Sequence, residues 1–233
     1  TDDRITTTYA TRRNLVTNPN CESSTAGWAA IAGGGASIAH STAEHYDGAG
    51  SIAITNDGTT TRGGQTDALV CSAGVQYTAS AYVKAPVGAS LNFLLAEYAA
   101  DGTTFIAQTV TAHTGTGAWV RLSATHTTTT GVRLRIQSRA APAVANTRWI
   151  GCALAEAASS AGTYFPTTAQ LASGEAGWTG TANASASDIG WAANGTVRSS
   201  GGWAKYDAAG TEDCLLGTQR TGAGPYIGIN SSG

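Results

Sequence analysis

Residues 14–22 read Asn14-Leu15-Val16-Thr17-Asn18-Pro19-Asn20-Cys21-Glu22, and Gly27-Trp28 follow shortly afterwards. The apolar residues at the start of this stretch are typical of a β-strand, and the Asn-Pro dipeptide marks a turn. A carboxylate and the Gly-Trp pair come directly after the turn. The stretch therefore predicts that a β domain begins at about residue 14.

The composition favours strands and tight turns over helices. Hydrophobic residues make up 42% of the 233 residues and charged residues 12%, and there are 30 glycines. This length accommodates one large β-sandwich with an appendage, or two small domains. The formal net charge of −2 gives no indication of nucleic acid or an anionic membrane as a partner. No apolar run is long enough to span a bilayer, so we expect no membrane insertion.

Short segments with strand-like patterns recur from residue 14 to about residue 165, separated by Gly, Pro and Asp-Gly turns. The clearest is Gly74–Lys84, in which Val75, Tyr77, Ala79, Ala81 and Val83 alternate with polar residues. The other predicted strands are 37–40, 51–55, 68–71, 90–97, 104–111, 119–125, 132–138 and 148–154. Many short strands without helix-length periodic segments predict an all-β, antiparallel sandwich.

The motifs, taken in order, resemble those of the jelly-roll carbohydrate-binding modules. Residues 14–28 resemble the pattern N-L-V-x-N-P-x-F-E followed by G-W, and 74–84 resemble G-x-x-Y-x-x-S-x-Y-V-K. Residues 119–122 resemble W-x-x-L, and 149–156 lie where a closing I-D-x-V-x-L-E strand belongs. The resemblance implies a jelly-roll β-sandwich over 14–165 that contacts carbohydrate or a cell surface.

Two later segments resemble minor tail proteins of phages that infect actinobacteria. Residues 160–165 resemble the exit T-P-Y-F-D-G, and 177–185 resemble A-W-T-G-T-x-x-A-S. This implies a non-enzymatic minor tail or tail-fibre protein on the virion tail. Its partners would be host cell-surface polysaccharide and other tail subunits, and such fibres are commonly homotrimers.

Three alternatives to a host-binding tail protein stay open. The chain is a carbohydrate-binding module of a secreted bacterial polysaccharide hydrolase, a purely structural tail component, or a tail-associated depolymerase. A depolymerase needs two carboxylates facing each other across a groove, for which Glu97 and Asp101 are the candidates. No hydrolase, metalloprotease or phosphate-loop motif supports catalysis, so we expect no enzyme activity.

The candidate ligand-binding residues are aromatic and polar side chains that we expect outside the core. Sugars stack on aromatic rings, and their hydroxyls bind polar side chains. Tyr82 lies on the polar face of its strand, where an aromatic residue has no evident structural role, Tyr98 ends a strand, and Tyr46 lies in a loop. Arg133 and Arg135 share one strand face and present bidentate donors, with Gln137 placed on the opposite, apolar side. The resemblance assigns Trp28 and Trp119 to the core.

The resemblance also raises the question of a calcium site. The family often holds a structural calcium between the opening Glu, here Glu22, and a closing-strand Asp, for which this chain has Gly151. We therefore expect no cofactor, with Glu22 as the one weak metal candidate.

The four cysteines include no C-x-x-C pair, so a zinc site is not indicated. They are either buried thiols or disulfides, and Cys21 and Cys152 lie on strands that are neighbours in this family.

The flanking regions differ in composition from the predicted sandwich. Residues 1–13 are polar and Thr-rich, which predicts a linker or arm. Residues 166–233 contain recurring Gly-Trp pairs and possible strands, including 197–199, 203–206 and 214–216, which predict a second, smaller β domain or fibre segment. The chain begins with Thr1 and contains no methionine, so we expect it to be a piece of a longer polypeptide.

Overall fold

Two antiparallel β-sheets face each other in the computed structural model of the protein, which describes residues 12–173 and 176–189 and the backbone of 215–216 and 227–228. The first strands are β1 (Arg12–Asn14), β2 (Trp28–Ala30), β3 (Ala36–Ser41), β4 (Ser51–Asp57), β5 (Gly63–Thr66), β6 (Leu69–Val70), β7 (Gln76–Lys84) and β8 (Ser90–Tyr98). They are followed by β9 (Phe105–Thr114), β10 (Trp119–Thr127), β11 (Arg133–Ala140) and β12 (Ala145–Glu156). The remaining elements are α1 (Thr168–Ser173), β13 (Ala176–Trp178), β14 (Ser187–Ile189), β15 (Leu215–Leu216) and β16 (Ile227–Gly228).

The two large sheets form the sandwich. Sheet A has the strand order β10-β7-β12-β4-β3, and sheet B has the order β2-β5-β11-β8-β9, with β6 also paired to β11. All pairings are antiparallel. This confirms the predicted all-β, jelly-roll-type sandwich. The one described helix has six residues, and no helix in the described ranges is long and apolar enough to cross a membrane.

The core lies between the two sheets and follows the alternation of the strands. Tyr77, Ala79, Ala81 and Val83 of β7 all point into it, as the sequence predicts, and Trp28 is buried there too. β8 contributes Leu91, Phe93 and Leu95, and β11 contributes Leu134 and Ile136. Burying a side chain of this size contributes about 1.5–3 kcal/mol. The opposite side chains of the same strands must therefore form the outer faces of the sandwich.

Asn14 explains why the opening stretch is so informative. Its buried side chain donates hydrogen bonds from Nδ2 to the carbonyls of Ala153 and Phe165, at 2.8 and 3.2 Å. Its Oδ1 accepts from the amides of Val16 and Ala155, at 3.1 and 3.0 Å. One side chain thus joins the opening segment, the closing strand and the exit from the sandwich.

Asn18 and Gly27 shape the turn that follows. Asn18 has a φ of 53°, and its side chain donates to the carbonyls of Ser24 and Ala26. Gly27 has a φ of 77° and lies against Thr17, where a Cβ would collide with that residue. Trp28 then enters the core with its Nε1 donating to the Asn18 carbonyl at 3.4 Å. The local polar contacts satisfy the backbone groups that the turn leaves unpaired.

The segment after the sandwich returns to its start. β14 pairs with β1, through Arg13 opposite Asp188, and also with β13. This three-stranded sheet and the β15–β16 pair are the described parts of the predicted second β segment. The predicted strands 197–199 and 203–206, the Gly-Trp pairs at 190–191 and 202–203, and residues 1–11 of the predicted arm lie outside the described residues.

Candidate functional site

The five predicted ligand-binding residues divide between the two outer faces of the sandwich. Tyr82 of β7 faces outward from sheet A, and Tyr46 lies over it in the β3–β4 loop. Tyr98 of β8 and Arg133 and Arg135 of β11 belong to sheet B, with Arg133 directly opposite Tyr98 in the register. The structure therefore presents two separate candidate surfaces.

Tyr82 has structural partners that the sequence does not reveal. Its ring stacks on Tyr46, with centroids 3.5 Å apart and planes 13° apart. It also packs against the cluster of Cys152, Leu154, Tyr164 and Phe165, which holds the exit segment on sheet A. Burial, followed by the hydrogen bond with Tyr46, raises the pKa of Tyr82 to about 12. The expectation that Tyr82 lacks a structural role was wrong, because the exit segment covers much of that face.

Trp119 corrects a second expectation. It pairs with Lys84 across β10 and β7, and Lys84 lies on the outer side of β7, so Trp119 faces outward rather than into the core. Its ring meets Tyr46 edge-on at 6.4 Å. We call Tyr46, Tyr82 and Trp119 the aromatic face. Tyr46 is the exposed member, at 48%.

The outer side of β11 carries an unusual row of polar side chains. Because Leu134 and Ile136 point into the core, the outward residues are Arg133, Arg135, Gln137 and Arg139. We call these four residues the arginine stripe. The expectation that Gln137 lies on the apolar side was wrong, since a residue two positions after Arg135 shares its face. β11 is the middle strand of sheet B, so the stripe runs along the centre of that outer face.

Tyr98 and Gln137 form a buried polar network in the middle of this face. The Gln137 Nε2 donates to the Tyr98 hydroxyl and to Gln65 Oε1, both at 2.9 Å. The Gln137 side chain is fully buried, yet its Oε1 has no hydrogen-bond partner. A buried acceptor without a partner is costly. Because Gln137 has no exposed surface, a ligand on this face cannot reach its oxygen unless the side chain moves.

Arg135 and Phe105 flank Tyr98. The guanidinium of Arg135 lies 5.8 Å from the Tyr98 ring centroid and donates to the carbonyls of Thr66 and Gly102, at 2.8 and 3.2 Å. Phe105 meets Tyr98 edge-on at 5.9 Å and is 52% exposed. Tyr98 itself is only 9% exposed, so Phe105, rather than Tyr98, presents an open ring on this face.

A surface pocket of about 440 Å³ lies at the far end of the arginine stripe. It is lined by Ile31, Thr59, Thr60, Thr61, Arg62 and Arg139. This pocket, Phe105 and Arg139 were not predicted from the sequence, and Gln137 was predicted on the wrong face. The alternation of polar and apolar residues in Arg133–Arg139 predicts the stripe. Nothing in the sequence indicates that residues 59–62 approach its end.

Glu22 fits a calcium site poorly. Its Oε2 accepts from the Ala49 amide at 2.8 Å, and its Oε1 is buried without a hydrogen-bond partner, as a ligand oxygen would be. However, Gly151 supplies no carboxylate, and among the described residues no three His, Cys, Asp or Glu side chains cluster as metal ligands. A hard cation needs more oxygens than Glu22 offers.

Cys21 and Cys152 are buried free thiols on neighbouring segments. The Ala153 amide donates to the Pro19 carbonyl at 3.0 Å, which places the closing strand beside the opening turn. Cys71 is also a buried free thiol, and burial raises its pKa to about 11. No disulfide occurs in the described ranges, and Cys214 lies outside them.

Glu97 and Asp101 do not form a catalytic pair. Glu97 is fully buried and bonded to His126, whereas Asp101 lies in an exposed turn and accepts from Thr103 and Thr104. A glycosidase pair must flank one scissile bond. The depolymerase built on these two residues is therefore excluded.

Comparisons with known proteins place the sandwich in a family. The family model described as "Carbohydrate binding domain" matches residues 13–144. The CBM22-1 xylan-binding domain of Paenibacillus barcinonensis Xyn10C is 21% identical, with a TM-score of 0.50 over 64% of this chain and 94% of that chain. The CBM22-1-CBM22-2 tandem of the same protein is 21% identical, with a TM-score of 0.53 over 67% of this chain and 48% of that chain.

Identities at this level show the fold alone. Tailspike protein 4 of bacteriophage CBA120 also matches, at 9% identity and a TM-score of 0.49 over 61% of this chain and 21% of that chain. That likeness is too low to carry an argument. No curated protein sequence matches the chain. Because the family model covers more than half of the 233 residues, the protein belongs to the carbohydrate-binding domain family.

Proposed function

We propose that the chain is a non-catalytic module that binds polysaccharide along the outer face of sheet B. The observation that carries the proposal is the arginine stripe in the centre of that face, with the exposed Phe105 ring beside it. From Arg133 to Arg139 the stripe extends over about 20 Å at the usual rise of a strand. This length accommodates several sugar rings of an extended chain.

The aromatic face is the weaker candidate for binding sugar. The ring of Tyr82 is covered by Tyr46 on one side and by the exit segment nearby. Lys84 on the same face is already paired with Glu44 at 2.6 Å. Fewer polar groups are therefore free to bind hydroxyls there than on sheet B.

We further propose that the module acts on a phage tail, with host cell-surface polysaccharide and other tail subunits as partners. The support is the resemblance of residues 160–165 and 177–185 to tail-protein motifs. Weak binding at each site would be strengthened by repeated copies on the virion. A homotrimer is one way to supply those copies, and sedimentation equilibrium of the chain tests it.

The alternative setting is a secreted bacterial polysaccharide hydrolase. The xylan-binding domains that share the fold favour it only by analogy. Sequencing the parent gene distinguishes the two settings, because a catalytic domain in the same reading frame would replace the tail assignment. In either setting we propose that binding requires no cofactor or metal.

The experiment is calorimetric titration of the chain with xylan, other plant and bacterial polysaccharides, and actinobacterial envelope fragments. Phe105→Ala should weaken binding about tenfold, as for a central aromatic contact. Tyr46→Ala, which removes an exposed aromatic ring from the β3–β4 loop over the opposite sheet, is the matched control and should leave binding unchanged.

Two results would contradict the proposal. Loss of binding in Tyr46→Ala with unchanged binding in Phe105→Ala would move the site to the aromatic face. If no polysaccharide or envelope binds, even to the immobilised chain, the purely structural role would replace it.

A further inference from the structure

The pocket at the end of the arginine stripe is lined by two guanidinium groups. Arg62 extends from the segment before β5, and Arg139 lies near the end of β11. Arg62 packs over Gly33, where a Cβ would lie 2.7 Å from its guanidinium, so Gly33 makes room for this side chain. The three threonines 59–61 and Ile31 complete the lining.

Neither guanidinium is neutralised by the protein. The Arg139 Nε is buried and has no hydrogen-bond partner. The ion pairs found within the described ranges join Arg12 to Glu156, Arg13 to Asp188, Lys84 to Glu44 and His126 to Glu97, and none involves the pocket. The carboxylate nearest in sequence, Asp57, is held by the Thr59 amide and hydroxyl at 2.8 and 2.6 Å.

A third arginine lies beneath the pocket. Arg148 is 1% exposed and donates to Ser138 and Asn56, which are neutral. It packs against Gly63, the residue after Arg62, and binds Ser138, the residue before Arg139. Burial lowers its pKa to about 10, so it stays protonated at neutral pH and adds positive potential below the pocket.

The remaining arginines of the stripe continue this pattern. Arg133 donates to the carbonyl of Val132, and Arg135 donates to the carbonyls of Thr66 and Gly102. Nearby Asp101 is engaged by its own turn. Sheet B therefore presents unpaired cations along one line, although the chain as a whole has a formal charge of −2.

We infer that the polysaccharide bound by sheet B is acidic, and that one of its anionic substituents enters the pocket between Arg62 and Arg139. Planar guanidinium groups bind carboxylate, sulfate and phosphate oxygens in bidentate fashion. Such an anion would balance the positive charge of the three arginines around the pocket. This inference rests on the proposed function, because it names the substrate class of the same face.

The test compares binding of the chain to polygalacturonate and to the same polymer after carboxyl reduction, at 50 and 500 mM NaCl. Dextran sulfate and a teichoic acid test sulfate and phosphate groups in place of carboxylates, and neutral xylan is the reference. We expect at least one anionic polymer to bind about tenfold more tightly than the neutral ones, with a preference that falls as salt screens the charges.

Arg139→Gln and Arg62→Gln identify the pocket as the source of that preference. Each should remove most of the advantage of the acidic polymer, measured as the ratio of its affinity to the affinity of neutral xylan for the same variant. Arg13→Gln is the matched control, because it removes the same charge from the β1–β14 pair on another part of the molecule. Thermal melts establish that each variant is folded, and the exposed Arg62 gives a second test if Arg139→Gln fails to fold.

The failures of the two proposals are distinguishable. If neutral and acidic polymers bind equally well, or if Arg13→Gln lowers the preference as much as Arg139→Gln, the inference is overturned and polysaccharide binding stands. If no polymer binds at all, the proposed function itself is overturned. If dextran sulfate or the teichoic acid binds, and Arg139→Gln weakens that binding, the inference is supported and the anion is identified.

Discussion

Glu97 shows how a single buried charge is tolerated inside this sandwich. Its carboxylate accepts from His126 Nε2 at 2.9 Å, from the Thr129 amide and hydroxyl at 2.8 and 3.0 Å, and from the Gly131 amide at 2.6 Å. Burial raises the pKa of Glu97, but these hydrogen bonds outweigh burial and hold it below its usual value. The residue therefore anchors the 129–131 turn against β8.

Removal of this carboxylate should be strongly destabilising. We expect Glu97→Ala to lower the free energy of unfolding by about 3–5 kcal/mol, since His126 and two amides lose their partner. Asp67→Asn, which changes an exposed carboxylate between β5 and β6, is the control and should change it by less than about 0.5 kcal/mol. Urea unfolding measures both, and equal losses would show that Glu97 has no special role.

The depressed pKa also predicts an acid-sensitive fold. The unfolded chain binds a proton at Glu97 near pH 4.3, and the folded chain only at lower pH, so this stabilisation is present above about pH 4.3 and lost below it. The unfolding free energy of the wild type should fall faster between about pH 5 and 3 than that of Glu97→Gln. If the unfolding free energies of the two proteins fall in parallel over this pH range, the lowered pKa of Glu97 is contradicted.

Gly63 determines whether β5 can pair with β11. A Cβ at this position would collide with the Ser138 carbonyl and the Arg148 guanidinium. Gly63→Ala should cost about 1–3 kcal/mol through overpacking. Gly151→Ala in β12 is a matched control, because its Cβ would lie 3.7 Å from Ser51 Cβ, an ordinary contact. Equal melting temperatures of the two variants would contradict the close approach of Gly63 to Ser138 and Arg148.

Elements with strong alternation were predictable, and those defined by tertiary contacts were not. β7 and β11 follow from their period-two patterns, and the pattern of β11 gives the outward position of Gln137. The resemblance assigned Trp119 to the core, but its pairing with Lys84 places it on the outer face. β5 contains Gly63-Gly64 and has no apolar signal. Its pairing depends on Gly63, which lies opposite Arg139 and close to the Ser138 carbonyl. Of the proposed site, Tyr98, Arg133 and Arg135 were named from the sequence. The pocket was not, because residues 59–62 and Arg139 meet only in the fold.

Arg12 connects the beginning and end of the sandwich. Its guanidinium binds Glu156 through two bonds of 2.8 and 2.6 Å, donates to the Thr163 carbonyl at 3.0 Å, and lies 4.7 Å from the Phe165 ring centroid. Arg12→Ala should lower the free energy of unfolding by about 1–3 kcal/mol, because Glu156 is buried and loses its cation.

Arg13 is the natural control for Arg12, since it precedes the same turn and pairs with the partly exposed Asp188. Arg13→Ala should cost no more than about 1 kcal/mol, as is usual for an exposed ion pair. Chemical denaturation of both variants gives the comparison. Equal costs would mean that the exit segment is held on the sandwich by apolar packing alone.

The whole molecule presents two outer faces, and we propose that carbohydrate binds to the outer face of sheet B. The most direct test is amide chemical-shift mapping of the chain during titration with oligosaccharides from the polysaccharide that binds most tightly. We expect saturable shifts to cluster at Arg133–Ala140, Tyr98 and Phe105, with residues 59–62 included when the ligand is acidic. Shifts confined to Tyr46, Tyr82 and Trp119, or no saturable shift with any oligosaccharide, would contradict it.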